Sequence, residues 1–331
     1  MKAGSVDRTP TRIHSRALHL GLCLGVACAF PFPSSSLAAE PAKASKAAPA
    51  IQQRTFDTPE KASAALILAA ERYDVPAMKE ILGPDGVDLV TTADAVQSKN
   101  LSEAFAAQAR EKTAVEVDPL DPNVAILSVG PDDWPLPIPI VKEGGRWRFD
   151  TAAGRQEILL RRIGRNELDA IQVCLGFVEA QHEYALTKHD GALVNQYAQR
   201  VISTPGKQDG LAWQAADGTW QGPVAEGVAR IIEEGYTDRR APFHGYYYKV
   251  LKGQGPAAPL GELDFLVNGA MIGGFALVAA PADYEVSGVM TFIVSHDGIV
   301  YEKDLGPKTL DEFRAMERYN PDPTWRPVFG R

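Results

Sequence analysis

The sequence has too few cysteines to be held together by disulfides, with three in 331 residues. Exported proteins that lack a large core are usually cross-linked by several disulfides, so packing of apolar side chains must stabilise this chain. Hydrophobic residues make up 45% of it and charged residues 23%, as in an ordinary globular protein. These values exclude a collagen-like, coiled-coil or wholly disordered chain, and the length favours two domains.

The short motifs that mark common catalytic and cofactor sites are also missing. There is no HExxH or CxxC pair for a metal, no G-x-S-x-G for a hydrolase nucleophile and no glycine-rich loop leading into a helix for a nucleotide. We therefore predict no catalytic residue, no metal site and no cofactor. Ser287, which precedes Gly288, is the remaining candidate nucleophile, and it needs His244 or His296 to be brought close by the fold.

Positive charge is scarce, with 34 basic against 42 acidic residues and a formal net charge of −8 at pH 7. Because binding to nucleic acid depends largely on basic contacts to phosphates, we expect no nucleic-acid partner. Six basic residues nevertheless fall within twenty positions: Arg146, Arg148, Arg155, Arg161, Arg162 and Arg165. This arginine cluster indicates either an anion site or clamp between two domains, or salt bridges to acids such as Asp150, Glu157 and Glu167.

Residues 1–39 are typical of an export signal. Basic residues precede an uncharged apolar segment at 17–30, and small residues suited to cleavage follow at 36–38. The apolar segment is shorter than the about 20 residues that a membrane span needs, so we predict cleavage, a periplasmic or secreted protein and no membrane span afterwards. A lipid anchor at Cys28 is the alternative, but Gly25 stands where a large aliphatic residue is normally required.

Residues 40–54, rich in Ala, Pro, Lys and Ser, are predicted to be a flexible leader. Residues 55–150 give helix signals followed by strand signals, which is an α+β pattern. The order is similar to the cone-shaped NTF2-like fold, which can hold a pocket. The predicted elements are helices at 59–73, 75–82 and 101–109, strands at 113–117, 124–129 and 146–150, and an edge strand or extended crossing at the prolines of 134–141.

Residues 151–331 are predicted to form a second α+β domain, in which a long helix lies on a short antiparallel sheet. The helix is expected from Ala152 to Thr187, with a kink or break at Gly164, and Glu167 is placed on its polar face. Its predicted apolar stripe is Leu168, Ile171, Leu175, Val178 and Ala185. The other predicted elements are strands at 244–249, 265–268 and 274–279, a hairpin of 289–295 with 299–303, and helices at 224–235 and 309–319.

Two features of this domain have both a core and a functional interpretation. Cys174 adjoins the apolar stripe and is expected to be a buried filler, because a reactive thiol needs a basic or helix-start setting. Alternation along a strand sends Tyr246 and Tyr248 to one face beside His244. These three side chains are either core residues or a platform on which a sugar or a peptide stacks.

The order of motifs in residues 165–304 looks like the globular head of type IV pilins and pseudopilins. The similarity lies in Asn166-Glu167, Ala180-Gln181-x-x-Tyr184, Gly245-Tyr246-Tyr247-Tyr248, Ala280-Pro281-Ala282-Asp283-Tyr284 and the Asp297-Gly298 turn. A pilin has a long apolar helix directly before its head, and here a soluble unit takes that place. Assembly into a pilus is therefore not expected.

Longer strings resemble the bacterial exported family catalogued as domain of unknown function 2950. The resemblance runs from about Phe56 to Val328. It implies export and a bacterial source and supplies no activity. The strings are Trp134-Pro135-x-Pro137-Ile138-Pro139, Arg146 to Gly154, Arg161 to Leu168 and Ser287 to Phe292.

These observations predict an exported, non-catalytic binding or scaffold protein of the bacterial cell envelope. Its expected partner is a cell-envelope protein or a small ligand. The alternative is a hydrolase-like enzyme of the envelope that uses an NTF2-like or interdomain pocket. A cleft that gathers His244, Tyr246 and an acid would favour the enzyme, and an apolar pocket would favour ligand binding.

Overall fold

A computed structural model of the protein describes residues 52–89, 95–224 and 242–328. The predicted export signal, most of the predicted leader and nearly all of the helix predicted at 224–235 lie outside these residues. Helices and mainly antiparallel sheets make up the described chain, which confirms the α+β class. None of the described helices is both long enough and apolar enough to cross a membrane.

The N-terminal unit, residues 52–150, packs helices on one face of an antiparallel sheet. Its helices are α1 (Pro59–Glu71), α2 (Val75–Leu82) and α3 (Ala95–Glu111), and a 3-10 helix covers Pro84–Leu89. Its strands are β1 (Thr113–Val117), β2 (Val124–Val129), β3 (Trp134–Pro135), β4 (Ile140–Glu143) and β5 (Arg146–Phe149). The sheet order is β1-β2-β4-β5, with β3 paired to β2.

Local signals explain where these helices begin and end. The Thr58 hydroxyl accepts a hydrogen bond from the Lys61 amide at 3.3 Å, and Asp74 accepts one from the Ala77 amide at 3.1 Å. Such caps satisfy amides that have no partner within the helix. Gly83, at φ 77°, ends α2 in a conformation that glycine adopts without strain. The apolar side chains between these boundaries, such as Leu66 and Ile81, are buried against the sheet.

The long helix α4 (Thr151–Tyr184) joins the N-terminal unit to the rest of the chain. Asp150 caps it by accepting the Ala153 amide at 3.1 Å. The helix continues through Gly164, so the predicted break there is wrong, while the alternative of a kink stays a prediction. A glycine inside a helix costs only about 1 kcal/mol and keeps its backbone hydrogen-bonding groups, so the rest of a 34-residue helix outweighs it.

The faces of α4 differ from the predicted stripe. Ile171 and Val178 are buried as expected, but Leu168 and Leu175 are 46% and 36% exposed. Glu167, predicted on the polar face, is 91% buried because its carboxylate binds backbone amides of the neighbouring sheet. Hydrophobic periodicity therefore predicted where the helix lies in the sequence. It did not predict that hydrogen bonds to the Val289 and Met290 amides place Glu167 on the buried face.

The C-terminal unit, residues 200–328 without the undescribed 225–241, contains a five-stranded sheet. Its strands are β9 (Tyr246–Leu251), β14 (Ala276–Pro281), β15 (Met290–Ser295), β16 (Val300–Asp304) and β17 (Arg326–Pro327). Their order in the sheet is β17-β16-β15-β14-β9. Shorter strands are β6 (Arg200–Ile202), β7 (Gly210–Gln214), β8 (Trp220–Gln221), β10 (Gly253–Gln254), β11 (Leu263–Asp264), β12 (Leu266–Val267) and β13 (Ala270–Met271).

Antiparallel pairing of β15 with β16 confirms the predicted hairpin. The helix α5 (Thr309–Ala315) of this unit is shorter than predicted. Met316 already has an extended backbone, and the Tyr319 amide donates to the Gly253 carbonyl at 2.9 Å. The chain therefore leaves the helix to pair with β10, so the helix predicted through residue 319 ends four residues early.

Buried apolar residues form two clusters, one between Phe56 and Phe149 and the other between Ala170 and Trp325. The start of α4 contacts the first, where the Thr151 hydroxyl donates to the Leu82 carbonyl at 2.6 Å. Its second half packs on the C-terminal sheet. A domain boundary at residue 150 stays a prediction, since α4 contacts the first cluster at its start and contributes residues to the second.

Replacing Gly154 by alanine is expected to destabilise the protein. A Cβ there would lie 2.7 Å from Ile138 Cγ1 and 3.0 Å from Ile138 Cα. Such overpacking costs about 1–3 kcal/mol. Urea denaturation should show this loss, whereas Gly164→Ala, with nothing within 4 Å of its Cβ, should unfold at the same or a higher urea concentration. Equal stabilisation by both substitutions would contradict the close packing at Gly154.

Candidate functional site

A cavity of about 510 Å³ lies within the N-terminal unit. The helices α1, α2 and α3 supply one side of it, and the segment Trp134–Ile138 supplies another. Ile158 reaches it from α4, so the long helix also contributes to the wall. The large apolar side chains in the lining include Leu66, Met78, Leu101, Phe105, Trp134 and Leu136.

The alternating prolines shape the wall opposite the helices. Proline has no amide hydrogen and cannot continue a ladder of hydrogen bonds. Pro137 lines the cavity, while the Leu136 amide donates to the Leu127 carbonyl at 2.7 Å and ties the segment to β2. Ile138 is buried beneath Gly154. The segment therefore leaves the ladder after Pro135, bends at Pro137 and Ile138, and contributes apolar side chains to the cavity wall.

The described lining contains no acidic or basic residue, no histidine and no tyrosine. Its polar members are Ser98, Ser102 and Gln108. The Ser102 hydroxyl donates to the Ala70 carbonyl at 3.0 Å, so it joins two helices. A wall of this composition offers a ligand mainly contact with apolar surface.

Part of this apolar surface is open to solvent. Leu101 is 60% exposed and Trp134 is 45% exposed. Exposed apolar residues are common one at a time, but adjoining ones at the edge of a cavity are typical of binding sites. The resemblance to an NTF2-like cone suggested a pocket in this unit, but the sequence indicated none of its lining residues. The available signals were the apolar residues on α3 and the proline-rich segment. Neither signal shows that a space remains between this helix and this segment in the folded protein.

Four of the six clustered arginines pair with carboxylates. These pairs are Arg146–Asp57, Arg148–Glu143, Arg155–Asp88 and Arg161–Glu157. All four partners lie between residues 57 and 157, and only Glu157 was among the acids predicted as partners. Hydrogen bonds with Arg148 lower the pKa of the Glu143 carboxyl, and those with Arg155 lower that of Asp88.

The other two arginines, Arg162 and Arg165, are exposed. Neither forms an ion pair within the described part of the chain. Arg161 stands beside them at the edge of the cavity, where its guanidinium carbon lies 5.3 Å from the centre of the Trp134 ring. Its Nη1 donates to the Pro135 carbonyl at 2.8 Å. The end of the arginine cluster therefore adjoins the apolar cavity.

The predicted aromatic platform is not formed by its tyrosines. Tyr246 and Tyr248 share a face as expected, but both are fully buried in the C-terminal core. The Tyr246 hydroxyl donates to the Met290 carbonyl at 2.8 Å, and burial raises the pKa of both phenols. His244 alone remains accessible to solvent. The core interpretation of the two tyrosines is correct because their strand turns this face toward α4.

His244 has an unpredicted partner on α4. Its Nδ1 lies 2.6 Å from an Asp169 carboxylate oxygen, and both side chains are partly exposed. Ser287 comes close to the neighbouring Gly245. The Ser287 hydroxyl accepts the Asp283 amide at 3.0 Å and donates to the Asp283 carbonyl at 3.2 Å. Its hydrogen bonds are used within its own turn, so the described residues show no hydrogen bond from this hydroxyl to a catalytic base.

Cys174 is fully buried, which confirms its predicted role as a core filler. Burial raises the pKa of its thiol to about 12. At pH 8 the reactive thiolate is therefore a roughly ten-thousandth fraction, and iodoacetamide should leave the Cys174 peptide unmodified in the folded protein. Mass spectrometry of the same peptide after reaction in denaturing urea should show full alkylation. Equal rates in the two conditions would mean that the thiol is accessible in the fold.

Comparison with known proteins identifies one family. The model of a family described as "Protein of unknown function (DUF2950)" matches residues 53–328. No curated protein and no solved structure gives a significant match to the chain. The NTF2-like resemblance of the N-terminal unit and the pilin-head resemblance of the C-terminal unit therefore stay predictions.

Proposed function

The chain belongs to the DUF2950 family, whose description names no function, and we propose that it is an exported binding protein of the bacterial cell envelope. Its ligand is a small molecule whose apolar part is held in the cavity of the N-terminal unit. The observation that carries this proposal is the lining, in which apolar side chains from α1, α2, α3 and Trp134–Ile138 face one space. The signal-like residues 1–39 support export.

The size and chemistry of the cavity suit this function. Small-molecule sites commonly enclose roughly 300–1,000 Å³ and have mainly apolar walls, and this cavity encloses about 510 Å³. Removing apolar surface from water contributes about 25 cal/mol for each Å². A ligand that covers the exposed faces of Leu101 and Trp134 therefore gains affinity without needing a charged partner inside.

The enzyme alternative has one supporting observation, the contact between His244 and Asp169 at 2.6 Å. A buried or oriented carboxylate beside a histidine is one part of a nucleophilic site. The second part is a nucleophile that bonds to the histidine, and Ser287 bonds to Asp283 instead. Binding in the N-terminal cavity is therefore the better supported function.

Titration with N-phenyl-1-naphthylamine, an uncharged apolar dye that fluoresces when it leaves water, tests the proposal. Saturable binding of one dye per chain is expected, with displacement by an unlabelled apolar compound such as dodecanol. A signal that rises linearly without saturating, or that dodecanol does not reduce, would contradict the proposed function.

A further inference from the structure

The surface of α4 beyond the cavity carries positive charge. Ile158 lines the cavity, and Arg162 lies one helical turn farther along the same side. Residues three or four apart on a helix are neighbours on its surface, about 5–6 Å apart at Cβ. Arg165 follows Arg161 by another turn. A row of arginines therefore leads away from the edge of the apolar cavity.

The three arginines of this row are not equivalent. Arg161 is held in place by Glu157, by the Pro135 carbonyl and by the ring of Trp134, which lines the cavity. Its charge is already partly balanced by the Glu157 carboxylate at 2.8 Å. Arg162 and Arg165 are exposed, and no carboxylate of the described chain pairs with either.

We infer that the ligand is a single-chain amphiphile with an acidic head group, its apolar chain in the cavity and its head on Arg162 and Arg165. This inference rests on the proposed function and names the class of ligand. A guanidinium group presents a planar pair of N–H donors that fits the two oxygens of a carboxylate or a phosphate. Two such groups without acidic partners attract an anion to this edge, although the formal net charge of the whole chain is −8.

Competition experiments with three ligands of equal chain length separate the contribution of the head group to affinity from that of the apolar chain. Laurate, dodecyl phosphate and dodecanol are each used to displace N-phenyl-1-naphthylamine from the protein, below their micellar concentrations and at low salt. Laurate or dodecyl phosphate should bind about tenfold more tightly than dodecanol. Whichever acid shows the greater advantage identifies the head group as a carboxylate or a phosphate.

The double variant Arg162→Gln/Arg165→Gln should lose about tenfold in affinity for the acidic ligands and keep its affinity for dodecanol and the dye. The matched control is Lys188→Gln/Arg326→Gln, which also removes two exposed positive charges but leaves the cavity edge unchanged. This control should bind all three ligands as the original protein does.

Two results would overturn the inference while leaving the proposed function intact. One is equal binding of dodecanol and both acids, and the other is an equal loss of acid binding in the two double variants. Absence of saturable dye binding would overturn the proposed function itself, and the inference with it.

Discussion

Replacing Ala104 by tryptophan is expected to weaken binding of an apolar ligand at least about tenfold. Ala104 lines the cavity and is exposed, so a larger side chain there can enter the cavity without displacing the packed core. An indole ring buries roughly 150–250 Å² when it packs against apolar neighbours. It would occupy space and apolar surface that the ligand needs.

Ala107→Trp is the matched control for this variant. Ala107 lies on the same helix, is exposed and is not part of the cavity lining. Both substitutions carry the same small cost in helix propensity, so a difference between them reports on the cavity. Dye titration of the two variants makes the comparison. An undiminished affinity in Ala104→Trp, or an equal loss in Ala107→Trp, would exclude this cavity as the binding site.

Replacing Glu167 by alanine is expected to lower the free energy of unfolding by roughly 3 kcal/mol. One carboxylate oxygen accepts hydrogen bonds from the Val289 and Met290 amides at 3.0 and 3.1 Å. Hydrogen bonds to a charged group contribute about 1.5–3 kcal/mol each. The loss of both would also leave two partly buried amides without a partner at the start of β15.

Urea denaturation of three variants isolates this contact. Glu167→Gln keeps an oxygen acceptor and should fall between Glu167→Ala and the original protein. Glu179→Ala removes an exposed carboxylate from the same helix and should change stability by no more than about 0.5 kcal/mol. If Glu167→Ala and Glu179→Ala unfold at the same urea concentration, the carboxylate does not hold the sheet to α4.

Elements with strong local signals could be predicted from the sequence. The strands at 113–117 and 124–129 have the predicted bounds, because β-branched residues on each side of a short turn favour a hairpin. The Asp297-Gly298 turn between β15 and β16 gives the same kind of signal, with Gly298 at φ 72°. Each of these predictions needed information from only a few adjacent residues.

Features that depend on distant residues could not be predicted in the same way. Glu167 is buried by amides more than 120 positions later in the chain. Arg146 pairs with Asp57, which is 89 positions away. Hydrophobic periodicity gives no information on partners that are distant in the sequence. Glu167 was therefore predicted on the polar face of its helix, and the predicted partners of Arg146 were acids nearby in the sequence.

The candidate site illustrates the same limit. The sequence suggested that an NTF2-like cone can hold a pocket, but it indicated no lining residue. A cavity forms where side chains fail to fill the space between elements, and this depends on the distance between α3 and the Trp134–Ile138 segment. The arginine cluster could be found from composition, whereas its division into paired and unpaired members needed the structure.

Photolabelling with an uncharged apolar diazirine, followed by mass spectrometry of peptides, is the most direct test that the N-terminal cavity holds the ligand. Labels are expected on the peptides that contain Leu101, Phe105 and Trp134, and they should disappear in Ala104→Trp but not in Ala107→Trp. The C-terminal unit offers a competing groove of about 440 Å³ beside Phe177 and Leu277. Labels confined to that groove, or spread over the surface without saturating, would contradict ligand binding in the N-terminal cavity.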